Sequence, residues 1–191
     1  MYNGHNLNIL GEKTMPNWCD NSLHLFHSDA DKVKALYDHI QSNADTFFEY
    51  LRPNPSGEWN YEWSSTNWGT KWDSKPSDCE YNESEQCIYV CQMDTAWCPP
   101  IALYEYLVVN GWEVNALYLE EGNGFCGTFD MYGDTRYNYD ITDAESIEKL
   151  PEDLIEFCNI WERHNEHLEY EEEQRRDEKN GLYPDKDDIS N

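Results

Sequence analysis

Four tryptophans, close together in the chain, could form a ligand-binding surface. Trp59, Trp63, Trp68 and Trp72 fall within one short segment. Such a group can stack on bases or sugars, or anchor a protein interface. Base stacking is the weaker option, because single-strand binders add a cationic groove and only three basic residues lie nearby. The alternative is a loop that folds over a sheet and completes its core.

Cysteine and histidine spacing gives little support for a metal site. Cys87 and Cys91 are four residues apart on a predicted strand, which separates their Cα atoms by about 13 Å. His164 and His167 are three apart on a predicted helix, where a weak metal site is possible but a solvated helix face fits better. The chain has no CxxC pair. We therefore predict no metal and no cofactor.

Motifs of hydrolysis and phosphoryl transfer are also missing from the sequence. There is no GxSxG, no phosphate-binding glycine loop and no paired nucleophile and base. The glycine-rich segment EGNGFCG precedes a predicted strand, and Glu120 and Glu121 would repel phosphate. We predict that the protein is not an enzyme and has no catalytic residue.

The charge of the chain indicates which partners are possible. Thirty-nine Asp and Glu against 13 Lys and Arg give a formal charge of −26, yet 8 Trp, 14 Tyr and 6 Phe supply apolar surface for a folded core. Such a surface repels nucleic acid and anionic membranes and favours a basic protein. Its charge equals that of roughly 44 Å of duplex DNA. We expect no direct contact with nucleic acid or membrane.

The seven cysteines are odd in number and scattered, which predicts reduced, mostly buried thiols in a cytoplasmic protein. They are Cys19, Cys79, Cys87, Cys91, Cys98, Cys126 and Cys158. No apolar run approaches the roughly 20 residues that span a bilayer.

Apolar periodicity predicts an α+β fold with strand and helix order β-α-β-β-α-β. Alternation from Trp18 to Phe26 is typical of a half-buried strand, and three- and four-residue spacing from Val33 to Ile40 predicts a helix. This order is a ferredoxin-like split βαβ antiparallel sheet with helices on one face. Further strands are predicted at 67–72, 86–95, 112–120, 124–132 and 135–141, and further helices at 101–110 and, long and acidic, at 151–179.

Five ordered segments carry a family resemblance. They are MPNWCDN (15–21), LRPNP (51–55), NWGTKWD (67–73), DTAWCPP (94–100) and EGNGFCG (121–127). Together they resemble the YubB-type ferredoxin-like domain family of bacteriophage and conjugative-plasmid proteins. The resemblance implies a ferredoxin-like fold and a protein that is encoded by a mobile genetic element and acts in a bacterial host cell. It implies no particular chemistry.

These patterns divide the chain into four parts. We predict an N-terminal extension (1–14), a ferredoxin-like domain (15–141) with an aromatic-rich insertion (45–78), an acidic helical extension (142–180) and a flexible tail (181–191).

Charge and resemblance together predict an acidic inhibitor that binds the basic nucleic-acid-binding surface of a host defence complex. Such a protein would be of the anti-CRISPR or anti-restriction type and could mimic nucleic acid. Carboxylates would contact the partner's Lys and Arg, while aromatic residues anchor the interface. The predicted partner-binding residues are Glu152, Asp153, Glu156, Glu162, Glu166, Glu169, Glu171, Glu172, Glu173, Trp59, Trp63 and Trp161.

Two other functions stay open at this point. One is a structural, non-enzymatic module of a mobile element, whose acidity serves only solubility and which uses Leu154, Phe157, Trp161 and Leu168 either to form a homodimer or to dock on its own sheet. The other is an enzyme that acts on a basic or polyamine-like substrate, which would need a pocket of converging carboxylates.

Overall fold

A computed structural model describes residues 17–179 of the protein, so the predicted extension (1–14) and tail (181–191) lie outside the described residues. The strands are β1 (Trp18–His27), β2 (Asp78–Asn82), β3 (Cys87–Ala96), β4 (Trp112–Glu120), β5 (Phe125–Asp130) and β6 (Gly133–Asn138). The helices are α1 (Ala30–Asn43), α2 (Phe47–Leu51), α3 (Tyr61–Asn67), α4 (Ile101–Val109), α5 (Ala144–Ile147), α6 (Glu152–Phe157) and α7 (Ile160–Lys179).

All six strands form one antiparallel sheet in the order β2-β3-β1-β4-β5-β6. The predicted mixture of helices with an antiparallel sheet is confirmed. Strand β1 lies near the centre because its alternate residues Cys19, Asn21, Leu23 and Leu25 are all buried. The pairing of β1 with β3 shifts between Asn21 and Leu23, and the Asn21 amide donates to the carbonyl of Met93 (3.1 Å) beside this shift.

The main core lies between one face of the sheet and helices α1 to α4. Leu23 and Leu25 of β1 and Ile88 and Val90 of β3 meet residues such as Leu36 of α1 there. Complete burial of each of these side chains favours folding by roughly 1.5–3 kcal/mol. The remaining buried members of this core are Val33, Ile40, Phe47, Phe48, Trp68, Met93, Leu103, Tyr104, Leu107, Val114, Ala116 and Phe129.

A second core covers part of the opposite face, where the C-terminal helices pack, while α1 to α4 lie on the first face. Leu119 of β4 and Cys126 of β5 point away from the main core and are fully buried beneath the C-terminal helices. Exposed apolar groups at these two positions would be unfavourable, and Ile147, Leu150 and Leu154 cover them. The C-terminal segment is therefore part of the folded body and fixes where α7 begins.

The aromatic-rich insertion holds two short helices, and the strand predicted at 67–72 is wrong. Gly69 has a positive φ of 89°, and a Cβ there would lie 3.1 Å from the amide nitrogen of Ala102. The Thr70 hydroxyl donates to the carbonyl of Ala96 (3.0 Å). This segment is thus a turn fixed against the start of α4, and the strand that pairs with β3 begins only at Asp78.

The helix predicted over 151–179 is interrupted at Asn159. Leu154 and Cys158 are buried four residues apart in α6 and its cap, and Ile160 and His164 are buried four residues apart in α7. A continuous helix would point Cys158 and Ile160 about 200° apart. The break, with Asn159 at a φ of 48°, brings both pairs onto the second core.

Candidate functional site

The outward face of β1 and β3 lines three cavities among the described residues. Asp20, Ser22, His24 and Phe26 alternate with the buried residues of β1, and so they point away from the main core. The C-terminal helices cover β4 and β5 but leave this half of the sheet open, with α6 and the start of α7 as one wall. We call this surface the open groove.

At one end of the open groove two carboxylates face each other across the strands. Asp20 and Asp94 are register partners in β1 and β3, and they line a cavity of about 490 Å³ together with Phe157, Arg163 and Lys75. Burial, and then the charge of Asp94, raise the pKa of Asp20 above its usual range. Two carboxylates thus lie close together at this end of the groove.

The cations at this end are already paired. Arg163 contacts Glu121 at 2.7 Å and Asp20 at 3.6 Å, while Lys75 contacts Asp45 at 2.9 Å. Arg163 also donates through Nε to the carbonyl of Cys158 at 3.0 Å, so it links the start of α7 to the cap of α6 as well as, through Asp20, to the sheet.

The middle of the open groove contains a stacked aromatic pair. The rings of His24 and Tyr89 lie parallel, with their centroids 4.4 Å apart and an interplanar angle of 9°. Both line a second cavity of about 480 Å³ that also includes Asp130 and Asp153. The His24 Nε2 atom is buried and has no hydrogen-bond partner among residues 17–179.

The far end of the open groove is also acidic. Phe26, Glu85 and Glu113 surround a small cavity of about 180 Å³ next to His24. At the near end Trp18 precedes Asp20 by two positions on the same face, and its ring lies 6.2 Å from that of Trp72. The groove thus runs along the whole outward side of β1.

The C-terminal helices present the second candidate surface. All nine acidic residues predicted to bind a partner, from Glu152 to Glu173, are exposed. Within α7, five carboxylates recur at three- and four-residue spacing on the side opposite Ile160 and His164. They are Glu162, Glu166, Glu169, Glu173 and Asp177, and we call them the α7 ridge.

The three predicted tryptophan anchors have different surroundings. Trp59 is 59% exposed, and its indole donates to the carbonyl of Lys71 at 3.1 Å. Trp63 packs edge-on against buried Trp68, so it mainly completes the core. Trp161 is exposed on the flank of the α7 ridge, on the same side of the helix as Leu168 seven residues later.

The four residues predicted for self-association do not form one exposed stripe. Leu154 is fully buried in the second core, and Phe157 is half-buried against it. Only Trp161 and Leu168 are exposed. The phase shift at Asn159 explains this, because it rotates α7 relative to α6.

The cysteines are free thiols, and four of the seven are buried. Burial raises the pKa of the Cys79 thiol to about 12, and burial also raises the pKa of Cys19 and Cys98. These thiols are protonated at neutral pH. In the described part of the chain no cluster of three or more His, Cys, Asp or Glu could hold a metal ion.

None of the helices between residues 17 and 179 is both long and apolar enough to cross a membrane. Comparisons with protein-family models, with curated proteins and with solved structures give no match to this chain.

Sequence reasoning missed the open groove. The polar residues of β1 looked like an ordinary solvent-facing row, because Asp94, Tyr89 and Asp153 come from distant parts of the chain. The alternation in β1 was the available signal. The sequence does not show that α6 packs over β5 and leaves β1 open.

Proposed function

We propose that this protein is an acidic inhibitor that binds the basic nucleic-acid-binding surface of another protein, in particular a bacterial host defence complex, and keeps nucleic acid away from it. The observation that carries the proposal is the α7 ridge, a row of carboxylates at the edge of a folded domain that is exposed from Glu162 to Glu173 and half-buried at Asp177. The function is non-enzymatic and works by occupation of the partner's surface.

The spacing of the α7 ridge suits mimicry of a single nucleic-acid strand. Neighbouring ridge positions are about 5–6 Å apart. From Glu162 to Asp177 the ridge extends over roughly 22 Å, a length over which one DNA strand carries roughly six or seven phosphates. Five carboxylates come close to that density, whereas a duplex carries about twice as many charges.

Several basic residues of the described chain point away from this field, whereas Arg175, Arg176 and Lys179 lie in the last turns of α7 and offset part of its charge. Arg52 donates to the carbonyl of Asn67 and lies over the ring of Tyr106. Arg136 lies over Phe125, and Arg163 points into the body of the protein. A basic partner would therefore meet an anionic surface that is least compensated in the part of α7 before Arg175, which accelerates encounter and favours charge-complementary binding.

Two further expectations belong to this proposal. The first is that the protein contains a ferredoxin-like split βαβ unit, made of β1-α1-β2-β3-α4-β4 with strand order β2-β3-β1-β4. Strands β5 and β6 extend the sheet of this unit. Membership of the YubB-type family, and with it a mobile-element origin and a place in the bacterial cytoplasm, rests on the five sequence segments. Both support an anti-defence role without specifying the target.

The test expresses the chain in bacteria that carry a CRISPR–Cas or restriction system and measures phage plating. We expect the wild-type chain to raise plating on a host whose defence it blocks. The variant Glu162→Gln, Glu166→Gln, Glu169→Gln and Glu173→Gln should lose roughly tenfold or more of this effect, since several contacts to the partner are removed.

The matched control removes the same charge elsewhere. Glu58, Glu62, Glu83 and Glu105 are exposed and lie outside the C-terminal helices, and their replacement by Gln should leave protection intact. Equal loss in both variants would show that bulk charge alone acts. Absence of protection against every system, together with unchanged DNA binding by their purified complexes, would refute the proposal.

A further inference from the structure

The open groove is a sheet face without a partner among residues 17–179. Its outward row runs from Trp18 to Phe26, which at strand rise is about 27 Å. Three cavities follow one another along β1, lined in turn by Asp20, by Ser22 with His24, and by His24 with Phe26. This length and shape suit an extended segment of about eight residues.

The negative charge of the open groove indicates that such a segment would be positively charged. Six carboxylates line its cavities, whereas the cations that line them are Arg163, which is paired with Asp20 and Glu121, and Lys75, which is paired with Asp45 outside the groove. The six are Asp20, Glu85, Asp94, Glu113, Asp130 and Asp153. A nucleic-acid strand would be repelled, and so would a second copy of a chain with a net charge of −26.

The aromatic residues of the open groove indicate arginine among the basic side chains. The His24–Tyr89 stack in its middle offers a flat ring face next to carboxylates, and the exposed ring of Trp18 lies at its end, beside a Trp72 ring over which Lys71 Nζ already lies at 4.3 Å. A planar guanidinium can stack on such a ring and donate to two carboxylate oxygens at once, which a lysine ammonium cannot do. Asp20 and Asp94, adjacent on neighbouring strands, form the best-defined acceptor pair.

We propose that the open groove binds an extended, arginine-rich segment of a partner protein, with one guanidinium between Asp20 and Asp94 and another against the His24–Tyr89 stack. The proposal does not depend on the α7 ridge, which lies on another element and would contact a folded basic surface. It assigns a peptide-binding function to the half of the sheet that the C-terminal helices leave uncovered.

The test uses an amidated eight-residue peptide of alternating Arg and Ala as the probe, with matched Lys–Ala and Glu–Ala peptides. Amide chemical shifts of the full chain are followed by NMR during titration. We expect shifts confined to β1 and β3, with the Arg peptide binding more tightly than the Lys peptide. The variant Asp20→Asn, Asp94→Asn should weaken binding roughly tenfold or more.

A control with the same charge change is Glu62→Gln, Glu105→Gln, at exposed positions of α3 and α4 outside both surfaces, which should leave the affinity for the Arg peptide within about twofold, as expected for charges distant from the site. Tyr89→Ala, which changes no charge, should also weaken binding. The proposal would be overturned by shifts spread over α7, by equal weakening in both Asn and Gln variants, or by no saturable binding. Equal binding of spermine, or of a single-stranded oligonucleotide, at β1 would overturn it as well.

Discussion

Asp73 shows how a single carboxylate holds the aromatic-rich insertion in place. Its two oxygens accept hydrogen bonds from the amides of Phe48 (2.6 Å), Glu49 (2.9 Å) and Ser74 (2.8 Å). Phe48 and Glu49 lie in the first turn of α2, so Asp73 caps that helix from 24 or more residues away. A sequence shows local caps but not one that comes from a distant loop.

We predict that Asp73→Ala lowers the free energy of unfolding by about 2 kcal/mol, because amides at the start of α2 lose their acceptor. Urea denaturation followed by tryptophan fluorescence measures the change. As the control, Asp78→Ala removes an exposed carboxylate from β2 and should change stability by less than about 0.5 kcal/mol. Similar losses in the two variants would contradict the capping role.

The raised pKa of Asp20 predicts how stability depends on pH. Between its unfolded pKa of about 3.9 and its higher folded pKa, the native state binds more protons than the unfolded chain. Stability from this group is therefore present at low pH and lost as pH rises through the folded pKa. The cause is burial of a carboxyl beside Asp94.

The corresponding measurement compares the wild type with Asp20→Asn by urea denaturation at several pH values from about 4 to about 7. We expect the wild type to lose stability relative to the variant across this interval, since the amide cannot ionise. A difference that stays constant, or that changes in favour of the wild type, would show that the ion pair with Arg163 outweighs the burial of Asp20.

At the scale of elements, alternation and helical spacing predicted β1, α1, β3 and α4 to within a few residues. These elements have one apolar and one polar face or a continuous apolar stripe, and such patterns depend on local sequence alone. Strand β2 was missed because it is short, lies at the sheet edge and carries Asp78 and Glu80. The pairing partner of an edge strand is not encoded in its own residues.

The break between α6 and α7 gives a prediction at this scale. Asn159 adopts a positive φ of 48°, which asparagine and glycine tolerate and β-branched residues do not. Asn159→Gly should retain wild-type stability within about 0.5 kcal/mol, whereas Asn159→Val should cost about 1–2 kcal/mol. Thermal unfolding of the two variants decides the matter, and a tolerated valine would mean that one continuous helix can form.

At the scale of the whole molecule, a charge of −26 opposes compaction. An increase in NaCl from about 10 mM to about 200 mM shortens the Debye length from about 30 Å to below about 10 Å. We expect the midpoint of thermal unfolding to rise by roughly 2–4 °C, the effect of about 1 kcal/mol in a domain of this size. Scanning calorimetry at constant pH provides the measurement.

The Gln variant of the α7 ridge offers a check on this salt effect. It carries four fewer negative charges, so its midpoint should rise less with NaCl than that of the wild type. A midpoint that falls with salt in both proteins would instead indicate that favourable ion pairs, such as that of Arg163 with Glu121, dominate the electrostatics.

The inward and outward residues of β1 have separate roles, one in the core and one on the open groove. Cys19, Asn21, Leu23 and Leu25 secure the interior, while the intervening positions face outward. A shift of one residue would exchange the two rows, so the interior holds the outward side chains in fixed positions. Substitution at the outward positions of β1 can therefore change binding preference without loss of the fold. These positions are the ones to randomise in a library selected for new binding partners.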